Sequence, residues 1–345
     1  MMAKAWVLHK IDDISLEEVA VPEPTSGEVR IKVMAAGICG SDIPRIYKNG
    51  AHRMPLIPGH EFSGVVDSVG KDADPSLVGK RVGVYPLIPC RECEPCREGS
   101  YELCRHYDYV GSRRDGAFAE YVTVPADNII ELPDEVTFEQ AAMLEPMAVA
   151  VNAVRKGADS FTVDREKKVT VIGLGTIGLF IAMFLKEAGY NNIYVIGNKE
   201  GQKKRAESLG IDRYICSTDD ISEVYDSSVI FECVGKADTI ALAIDMAGAF
   251  GRVTLVGNPY GDVELERDLY WKILRNQLTI TGVWNSRFNG QSDDDWSYVL
   301  ERLRDRKIEP EKMITHRLSL EDFEKGFLIM RDKSEDYCKV MMQIE

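Results

Sequence analysis

The apolar and polar positions of the first 145 residues predict short strands separated by turns. Residues 28–36 alternate polar and apolar side chains, as expected for a strand with one buried face. Residues 62–69 and 81–85 carry β-branched runs bounded by glycine and proline. This strand-rich pattern predicts a barrel-like β domain over residues 1–147.

Strands and helices alternate in the next part of the chain. Amphipathic or apolar runs of helical length occupy residues 146–158, 176–188 and 200–210, the last two ending at Gly189 and Gly210. Runs typical of strands occupy residues 168–172, 191–197, 227–235, 251–257 and 278–284. The alternation predicts an α/β domain over residues 148–286 with a doubly wound parallel sheet.

The last part of the chain, residues 287–345, changes character again. Residues 296–308 predict an amphipathic helix, and residues 337–344 predict a final strand. This segment is too short for a domain of its own. We therefore expect it to pack back on the N-terminal domain.

Composition and charge narrow the class of protein. Hydrophobic residues make up 45% of the 345 residues and charged residues 28%, as in ordinary globular proteins. The formal net charge of -14 disfavours nucleic acid as a partner, so an anionic substrate would need a local basic site. Charges interrupt the first ten residues, and no apolar stretch approaches the ~20 residues that span a membrane. We expect a cytoplasmic protein.

Four of the eight cysteines lie within fifteen positions, in the pattern C-x2-C-x2-C-x7-C. They are Cys90, Cys93, Cys96 and Cys104. Short spacings of this kind let one loop wrap a tetrahedral zinc ion. An iron–sulfur cluster is the competing metal, and a zinc-stabilised interaction module is a competing role. Because four thiolates leave no open position, the lobe at residues 88–106 is predicted to hold a structural zinc.

A glycine-rich turn follows the strand at residues 168–172. The turn and the start of the next helix comprise Gly173, Gly175, Thr176, Ile177 and Gly178, in the pattern G-x-G-x-x-G. Between a strand and a helix, this pattern predicts a dinucleotide site with the pyrophosphate at the helix N-terminus.

The end of the following strand bears on the choice of coenzyme. An acidic residue is expected there to bind the ribose 2′-hydroxyl of NAD, but the chain has Gly197 followed by Asn198 and Lys199. A small residue beside the cations Lys199 and Lys203 favours the 2′-phosphate of NADP. The alternative is a solvated basic helix face, with NAD bound through other contacts.

A second metal site is suggested by Cys39, His60 and Glu145, each beside a turn or a domain boundary. One thiolate, one imidazole and one carboxylate leave a fourth position open, which is typical of catalytic zinc. Taken singly, each residue is better explained without a metal: Cys39 as a buried cysteine, His60 as a surface histidine and Glu145 as a helix N-terminal carboxylate.

The segment PGHEFSGVVDSVG at residues 58–70 resembles the zinc signature of medium-chain alcohol and polyol dehydrogenases. The C-G-S-D run, the cysteine lobe, the E-P pair and the glycine turn follow in that family's order over essentially the whole chain. The resemblance implies a GroES-like β-barrel catalytic domain and a Rossmann domain. It also implies a zinc-dependent, NAD(P)-dependent oxidoreductase acting on alcohols, with one catalytic and one structural zinc per chain.

The resemblance also implies roles for single residues. Cys39 and His60 match the ligands of the catalytic zinc, and Glu145 matches the carboxylate that polyol dehydrogenases have as a third ligand. Glu61 matches an alternate ligand when the zinc-bound water is displaced. Two further residues match supporting groups: Asp42 orients the zinc-bound histidine, and Ser41 starts a proton relay. The family's relay histidine has no match here, and His52 is a candidate substitute.

Within the family, the residues quoted above and GSRRDGAFAEY at 111–121 resemble enzymes that oxidise hexitol phosphates. This likeness implies oxidation of a secondary alcohol, as in galactitol 1-phosphate giving tagatose 6-phosphate. Arg113, Arg114 and Lys48 are candidates for the substrate phosphate, and surface charge or interdomain pairing is the alternative. The competing substrates are those of sorbitol-, threonine- and ribitol-phosphate-type enzymes, and a more distant alternative is a non-catalytic zinc- and dinucleotide-binding regulatory protein.

The resemblance further implies a homodimer or homotetramer. The apolar segment LTITGVW at residues 278–284 could pair across a two-fold axis, although an internal strand fits equally well.

Overall fold

The computed structural model describes residues 1–159, 161–259 and 261–344. The chain forms two compact units. One comprises Met1–Glu145 with Phe288–Glu345, and the other comprises Pro146–Arg287. Among the helices of the described ranges, none has the length and apolar character needed to cross a membrane.

The strands and helices follow the sequence pattern closely. The strands are β1 Met2–Lys10, β2 Asp13–Ala20, β3 Glu28–Gly37, β4 Glu61–Val69, β5 Arg81–Val84, β6 Leu87–Ile88, β7 Asp108–Tyr109, β8 Tyr121–Pro125, β9 Ile129–Glu131, β10 Val169–Ile172, β11 Ile193–Gly197, β12 Tyr214–Cys216, β13 Ser227–Glu232, β14 Ala247–Leu255, β15 Thr279–Gly282, β16 Ile314–Ser319 and β17 Lys339–Gln343. The α-helices are α1 Asp42–Pro44, α2 Glu94–Arg97, α3 Phe138–Ala142, α4 Leu144–Gly157, α5 Thr176–Glu187, α6 Glu200–Ser208, α7 Ala237–Met246, α8 Arg267–Arg275, α9 Asp295–Arg304 and α10 Glu324–Asp332. A π-helical turn spans Arg45–Asn49, and short 3-10 turns span Pro75–Leu77, Tyr101–Leu103, Ala126–Asn128, Ser222–Val224 and Pro310–Met313.

The first unit is built on a sheet of seven strands, with β16, β17, β3, β4, β5 and β9 in that order and β8 also paired to β3. Most of its pairs are antiparallel, and only β16 and β17 run parallel. The inward residues of β3 are fully buried because its alternating pattern points every second side chain to the core. The C-terminal strand β17 pairs with β3, with Met341 opposite Gly37.

The second unit contains a six-stranded parallel sheet with the order β12-β11-β10-β13-β14-β15. Strand β10 lies at the centre, and all four of its residues are buried, as expected for a parallel strand covered on both faces. Helix α5 packs its apolar side chains inward, from Leu179 to Leu185. The predicted α/β class with a doubly wound parallel sheet is confirmed.

Two glycines end helices as predicted. Gly189 and Gly210 follow α5 and α6 with φ of 86° and 73°. Only a residue without a Cβ adopts this left-handed conformation at little cost.

Candidate active site

Strand pairing in the first unit brings two predicted metal ligands together. The chain leaves β3 at Gly37 and reaches Cys39 two residues later, while His60 immediately precedes β4. Because Gly37 and Glu61 are partners across these antiparallel strands, Cys39 and His60 come side by side. The ligand atoms of Cys39, His60 and Glu61 all lie within 4.8 Å of one another.

Asp42 contacts both Cys39 and His60 of this cluster. Its carboxylate is fully buried, accepts a hydrogen bond of 3.0 Å from the Cys39 amide and lies 3.5 Å from His60 Nδ1. The Arg45 guanidinium also donates to it. Burial raises the pKa of Asp42, but His60, Arg45 and the Cys39 amide outweigh burial and keep that pKa below its ordinary value. Asp42 is therefore a carboxylate poised to orient the imidazole.

The pKa of His60 responds to the same neighbours. Burial lowers this pKa, but the Asp42 carboxylate and the Cys39 thiol raise it well above its ordinary value. The buried Nδ1 atom of His60 has no hydrogen-bond partner within the described residues. A buried imidazole beside a thiol, with ring nitrogens left for ligation, suits a zinc ion.

Ser41 lies beside Cys39 in this cluster. Its hydroxyl donates to Cys39 Sγ over 3.3 Å. The hydroxyl predicted to begin a proton relay is thus next to the predicted metal ligand. His52, the candidate end of the relay, is an exposed side chain.

Glu145 lies beside the cluster of Cys39, His60 and Glu61. Its buried carboxylate accepts a hydrogen bond of 3.3 Å from the Tyr109 hydroxyl, and it does not join the set formed by Cys39, His60 and Glu61. Burial raises the pKa of Glu145 to about 7. The Tyr109 ring packs against His60 with ring centres 5.7 Å apart. Three buried carboxylates, Asp42, Glu145 and Glu61, therefore lie at or beside the cluster, and Glu61 is the one grouped within 4.8 Å of the Cys39 and His60 ligand atoms.

Lys339 is a member of the site that sequence reasoning missed. Its side chain is 1% exposed, donates to the Glu61 carboxylate and donates to the Ile38 carbonyl over 3.2 Å. Burial lowers the pKa of Lys339, but the Glu61 carboxylate outweighs burial and keeps that pKa raised. The only signal in the sequence was a lysine inside the apolar run of the last strand, at a position where charge is rarely buried unless paired.

The four lobe cysteines converge within the first unit. Their sulfur atoms lie within 4.8 Å of one another, with Cys93 Sγ 3.5 Å from Cys96 Sγ and 3.9 Å from Cys104 Sγ. All four are free thiols. Backbone N–H groups lower the pKa of Cys93 to about 6, whereas burial raises the pKa of Cys96 to about 12. Four soft ligands at one point suit a closed tetrahedral zinc site.

The glycine turn lies at the carboxyl end of β10 in the second unit. Gly173 has a φ of 89°, and a Cβ there would lie 2.4 Å from Val234 Cγ2. Gly175 precedes α5 and has open space around it, whereas a Cβ on Gly178 would lie 1.9 Å from the Gly173 carbonyl oxygen. The three glycines thus allow the turn, an approach from outside and close helix packing. Thr176 and Ile177 open α5.

This turn also lies at a reversal of strand order, because β11 and β13 flank β10 on opposite sides. In open parallel sheets, ligands bind at the carboxyl ends of the strands beside such a reversal.

The end of β11 is closed to a larger residue at position 197. A Cβ on Gly197 would lie 2.7 Å from Gln202 Oε1 and 2.9 Å from the Tyr214 ring. Gln202 Oε1 accepts a hydrogen bond of 2.9 Å from the Asn198 amide. An amide side chain therefore occupies the place where an acidic residue was expected, and Asn198 and Lys199 are exposed beside it.

Of the three residues predicted to bind a substrate phosphate, Arg113 and Arg114 line the same cavity and Lys48 lies on a separate turn. Arg114 pairs with Glu28 at 2.6 Å, and Glu28 begins the strand whose other end leads to Cys39. Arg113 stacks over Tyr107 at 4.5 Å, and both arginines line a cavity of about 580 Å³ on the β-sheet unit. Lys48 is exposed on the π-helical turn. Arg114 and Glu28 belong to the same compact unit, so this pair is not the interdomain pairing considered for these residues.

Comparison with known proteins covers both units. Residues 25–134 match the alcohol dehydrogenase GroES-like domain, and residues 176–305 match the zinc-binding dehydrogenase domain. The chain is 35% identical over 321 residues to galactitol 1-phosphate 5-dehydrogenase of Escherichia coli strain K12, which covers 90% of this chain and 91% of that protein.

Solved structures agree with this assignment. A zinc-binding dehydrogenase from Sinorhizobium meliloti 1021, bound to NADP, superposes with a TM-score of 0.89 at 27% identity over 100% of both chains. A structure described as a short chain alcohol dehydrogenase from E. coli CFT073, complexed with NADH, gives a TM-score of 0.89 at 29% identity over 99% of both chains. The fold is thus a GroES-like domain with a Rossmann domain, and the chain belongs to the zinc-containing medium-chain dehydrogenases, oxidoreductases that act on CH–OH groups.

Proposed function

We propose that this protein oxidises a secondary alcohol of a polyol phosphate, with galactitol 1-phosphate giving tagatose 6-phosphate as the first candidate reaction. The observation that carries the proposal is the cluster of a half-buried Cys39 with the buried His60 and Glu61, whose ligand atoms lie within 4.8 Å of one another. The 35% identity to galactitol 1-phosphate 5-dehydrogenase supports the choice of substrate.

The two compact units support separate roles in catalysis and in coenzyme binding. We propose that residues 1–147 and 287–345 form the catalytic domain and that residues 148–286 bind the coenzyme. In support, the metal-ligating clusters lie in the unit Met1–Glu145 with Phe288–Glu345, and the glycine turn lies in the unit Pro146–Arg287.

Cys39 and His60 would hold the catalytic zinc together with a buried carboxylate, Glu145 or Glu61. The chemistry that zinc would supply at these residues is a lower pKa for the substrate hydroxyl. Asp42 keeps the His60 ring oriented, and Ser41, beside Cys39, accepts the proton of the substrate hydroxyl. Cys90, Cys93, Cys96 and Cys104 would hold the structural zinc.

For the coenzyme, we favour NADP over NAD. The absence of a carboxylate at the end of β11, together with the exposed Lys199, supports this choice because a carboxylate there would repel a 2′-phosphate. The glycine turn and the start of α5 would receive the pyrophosphate. The relatives bound to NADP and to NADH show that the family accommodates either coenzyme.

A second candidate substrate is an unphosphorylated polyol or amino alcohol. The ion pair between Arg114 and Glu28 favours it, because it removes one of the cations predicted for the substrate phosphate.

A matched substrate series tests the proposal. The zinc-loaded protein is assayed for NADP and NAD reduction with galactitol 1-phosphate, galactitol, sorbitol, ribitol 5-phosphate and L-threonine. We expect the highest kcat/KM with galactitol 1-phosphate and much less with galactitol, because the phosphate adds charge-assisted hydrogen bonds. A higher kcat/KM for galactitol than for its phosphate would favour the second candidate. No turnover of any CH–OH substrate would contradict the proposal.

We further propose that the protein associates with a second copy through β15 and α8, as a homodimer or as part of a homotetramer. Strand β15 is the edge of the parallel sheet, and its side chains are largely exposed. Trp271 and Leu274 on α8 and Ile280 on β15 are each 40% or more exposed. An apolar edge strand of this kind is a usual site of pairing between copies.

A further inference from the structure

The buried ion pair of Lys339 and Glu61 lies directly beside the proposed catalytic metal site. Lys339 comes from the last strand, 278 residues from its partner, and both side chains are at most 2% exposed. A buried ammonium needs a negative partner and further hydrogen bonds, and Lys339 has both, in Glu61 and the Ile38 carbonyl.

The backbone around the pair leaves room for it. Gly37 lies opposite Glu61 on β4 and opposite Met341 on β17, so the pair sits over a glycine. A Cβ at position 37 would lie 2.8 Å from Glu61 Oε2 and 3.1 Å from Lys339 Cδ. Because residue 37 has no side chain, the ion pair occupies the space next to the backbone at this point of the sheet.

Glu61 therefore has two competing partners. One is the Lys339 ammonium, with which it is paired. The other would be a metal ion on Cys39 and His60, whose ligand atoms lie within 4.8 Å of a Glu61 carboxylate oxygen. A buried carboxylate without a cation is strongly disfavoured. If the ammonium were absent, the metal would be the nearest cation able to compensate its charge.

We propose that Lys339 is a positioning residue that withholds Glu61 from the catalytic zinc, so that a coordination position stays open for the substrate oxygen. The inference rests on the proposed function, because it requires a metal on Cys39 and His60. With Glu61 paired to Lys339 and Asp42 paired to Arg45, Glu145 is the third buried carboxylate beside the cluster. Lys339 thereby selects which carboxylate serves the metal during turnover.

Three variants test this role in the full-length, zinc-loaded protein. Lys339→Met removes the ammonium and keeps a long side chain. Lys339→Arg keeps a cation for Glu61. The double variant Lys339→Met with Glu61→Gln removes both charges of the pair, so no carboxylate is left at position 61 to move to the metal. Two quantities are measured for each: the rate at which zinc passes to the chelator 4-(2-pyridylazo)resorcinol, and kcat with the best alcohol substrate.

We expect two phases of zinc release from the original protein, a slow one from the cysteine lobe and a faster one from the catalytic site. In Lys339→Met, Glu61 gains the metal as its partner. The faster phase therefore slows by about tenfold while kcat falls by about tenfold, a size typical of changes to groups beside metal ligands. The double variant returns both quantities towards the original values, and Lys339→Arg leaves both near them.

The distinguishing result is that Lys339→Met releases its catalytic zinc more slowly while its kcat falls. If Lys339 only stabilises the fold, Lys339→Met loses zinc faster as it loses activity, and Glu61→Gln restores neither; that result overturns the inference. An unchanged faster phase in Lys339→Met overturns it as well. An original protein that releases a single zinc per chain contradicts the proposed catalytic zinc itself, and the inference with it.

Discussion

Two glycines show how a missing side chain decides the chemistry of its neighbours. At Gly37 the space is taken by the Glu61 carboxylate and the Lys339 side chain. At Gly197 it is taken by the Gln202 amide and the Tyr214 ring. Neither glycine has a positive φ, so backbone conformation does not demand it. Each is needed because of what lies next to it.

A methyl group at position 37 should be poorly tolerated. Gly37→Ala places a Cβ 2.8 Å from Glu61 Oε2 inside a buried ion pair, so the side chains must shift. We expect destabilisation of about 1–3 kcal/mol, the usual cost of overpacking a buried site. Thermal unfolding of the protein measures the change.

Gly40→Ala is the matched control, because a Cβ at position 40 meets no atom within 4 Å. If Gly37→Ala and Gly40→Ala had the same unfolding midpoint, that result would show that the ion pair accommodates the methyl group.

At the scale of an element, the cysteine lobe and the end of β11 behave as local modules. The lobe wraps its four sulfur atoms with the short helix α2 and a 3-10 turn, all between Cys90 and Cys104. Residues 197–199 likewise form one short segment, from the last residue of β11 to the residue before α6. Each module can be changed with little expected effect on the other, because they belong to different compact units.

Cys96→Ser should remove one zinc per chain and lower the stability of the first unit. The lobe has little buried apolar surface of its own, so the metal supplies much of its folding free energy. Metal analysis and calorimetry measure the two effects, and NADPH binding by the second unit should persist. Cys216→Ser, in β12 and outside both metal clusters, is the control. Equal zinc content in the two variants would contradict a metal in the lobe.

Lys199→Glu should weaken NADPH binding selectively. Loss of a charge-assisted hydrogen bond of about 1.5–3 kcal/mol predicts a roughly tenfold or greater rise in the Kd for NADPH. The Kd for NADH should change much less, because NADH lacks the 2′-phosphate. Fluorescence titration measures both constants, with Lys204→Glu on the exposed face of α6 as the control. A parallel loss of both coenzymes would argue against contact with a 2′-phosphate.

At the scale of the whole molecule, distant parts of the chain are joined by strand pairing. The last strand, β17, lies beside β3 and brings Lys339 to a site otherwise built from the first 145 residues. The other compact unit ends its sheet at β15, whose exposed face and apolar neighbours on α8 are the surface proposed for a second copy.

A charge on that surface should separate the copies. Ile280→Lys places an ammonium on an edge strand where the side chain is 40% exposed, and desolvating it in an interface is costly. We expect the original protein to have at least twice the mass of the chain and the variant to have the mass of one chain. Size-exclusion chromatography with light scattering makes the measurement. Val78→Lys, an exposed apolar position on the other unit, should keep the original mass. A monomeric original protein would refute this surface as a dimer interface.

Much of the fold follows from local patterns. The strands and helices that the sequence predicted were placed within a few residues, because alternation, helical periodicity and glycine stops are properties of short segments. Other elements, such as α7 and α8, were not predicted. The glycine turn and the cysteine lobe were equally accessible, since all their residues lie within fifteen positions. Cys39, His60 and Glu145 were suggested by their residue types, but family resemblance was needed to favour them as ligands, because their separation in the sequence does not show whether they meet.

The sequence by itself determined the two kinds of sheet, the dinucleotide turn and the four-thiol cluster, because each is encoded by neighbours along the chain. Only the tertiary structure decided that a carboxylate oxygen of Glu61 lies within 4.8 Å of the ligand atoms of Cys39 and His60, and that Lys339 pairs with Glu61. It also decided that Arg114 is paired with Glu28. These contacts depend on register between strands that are distant in sequence, and on which buried charges find a partner once water is excluded. A linear pattern specifies neither.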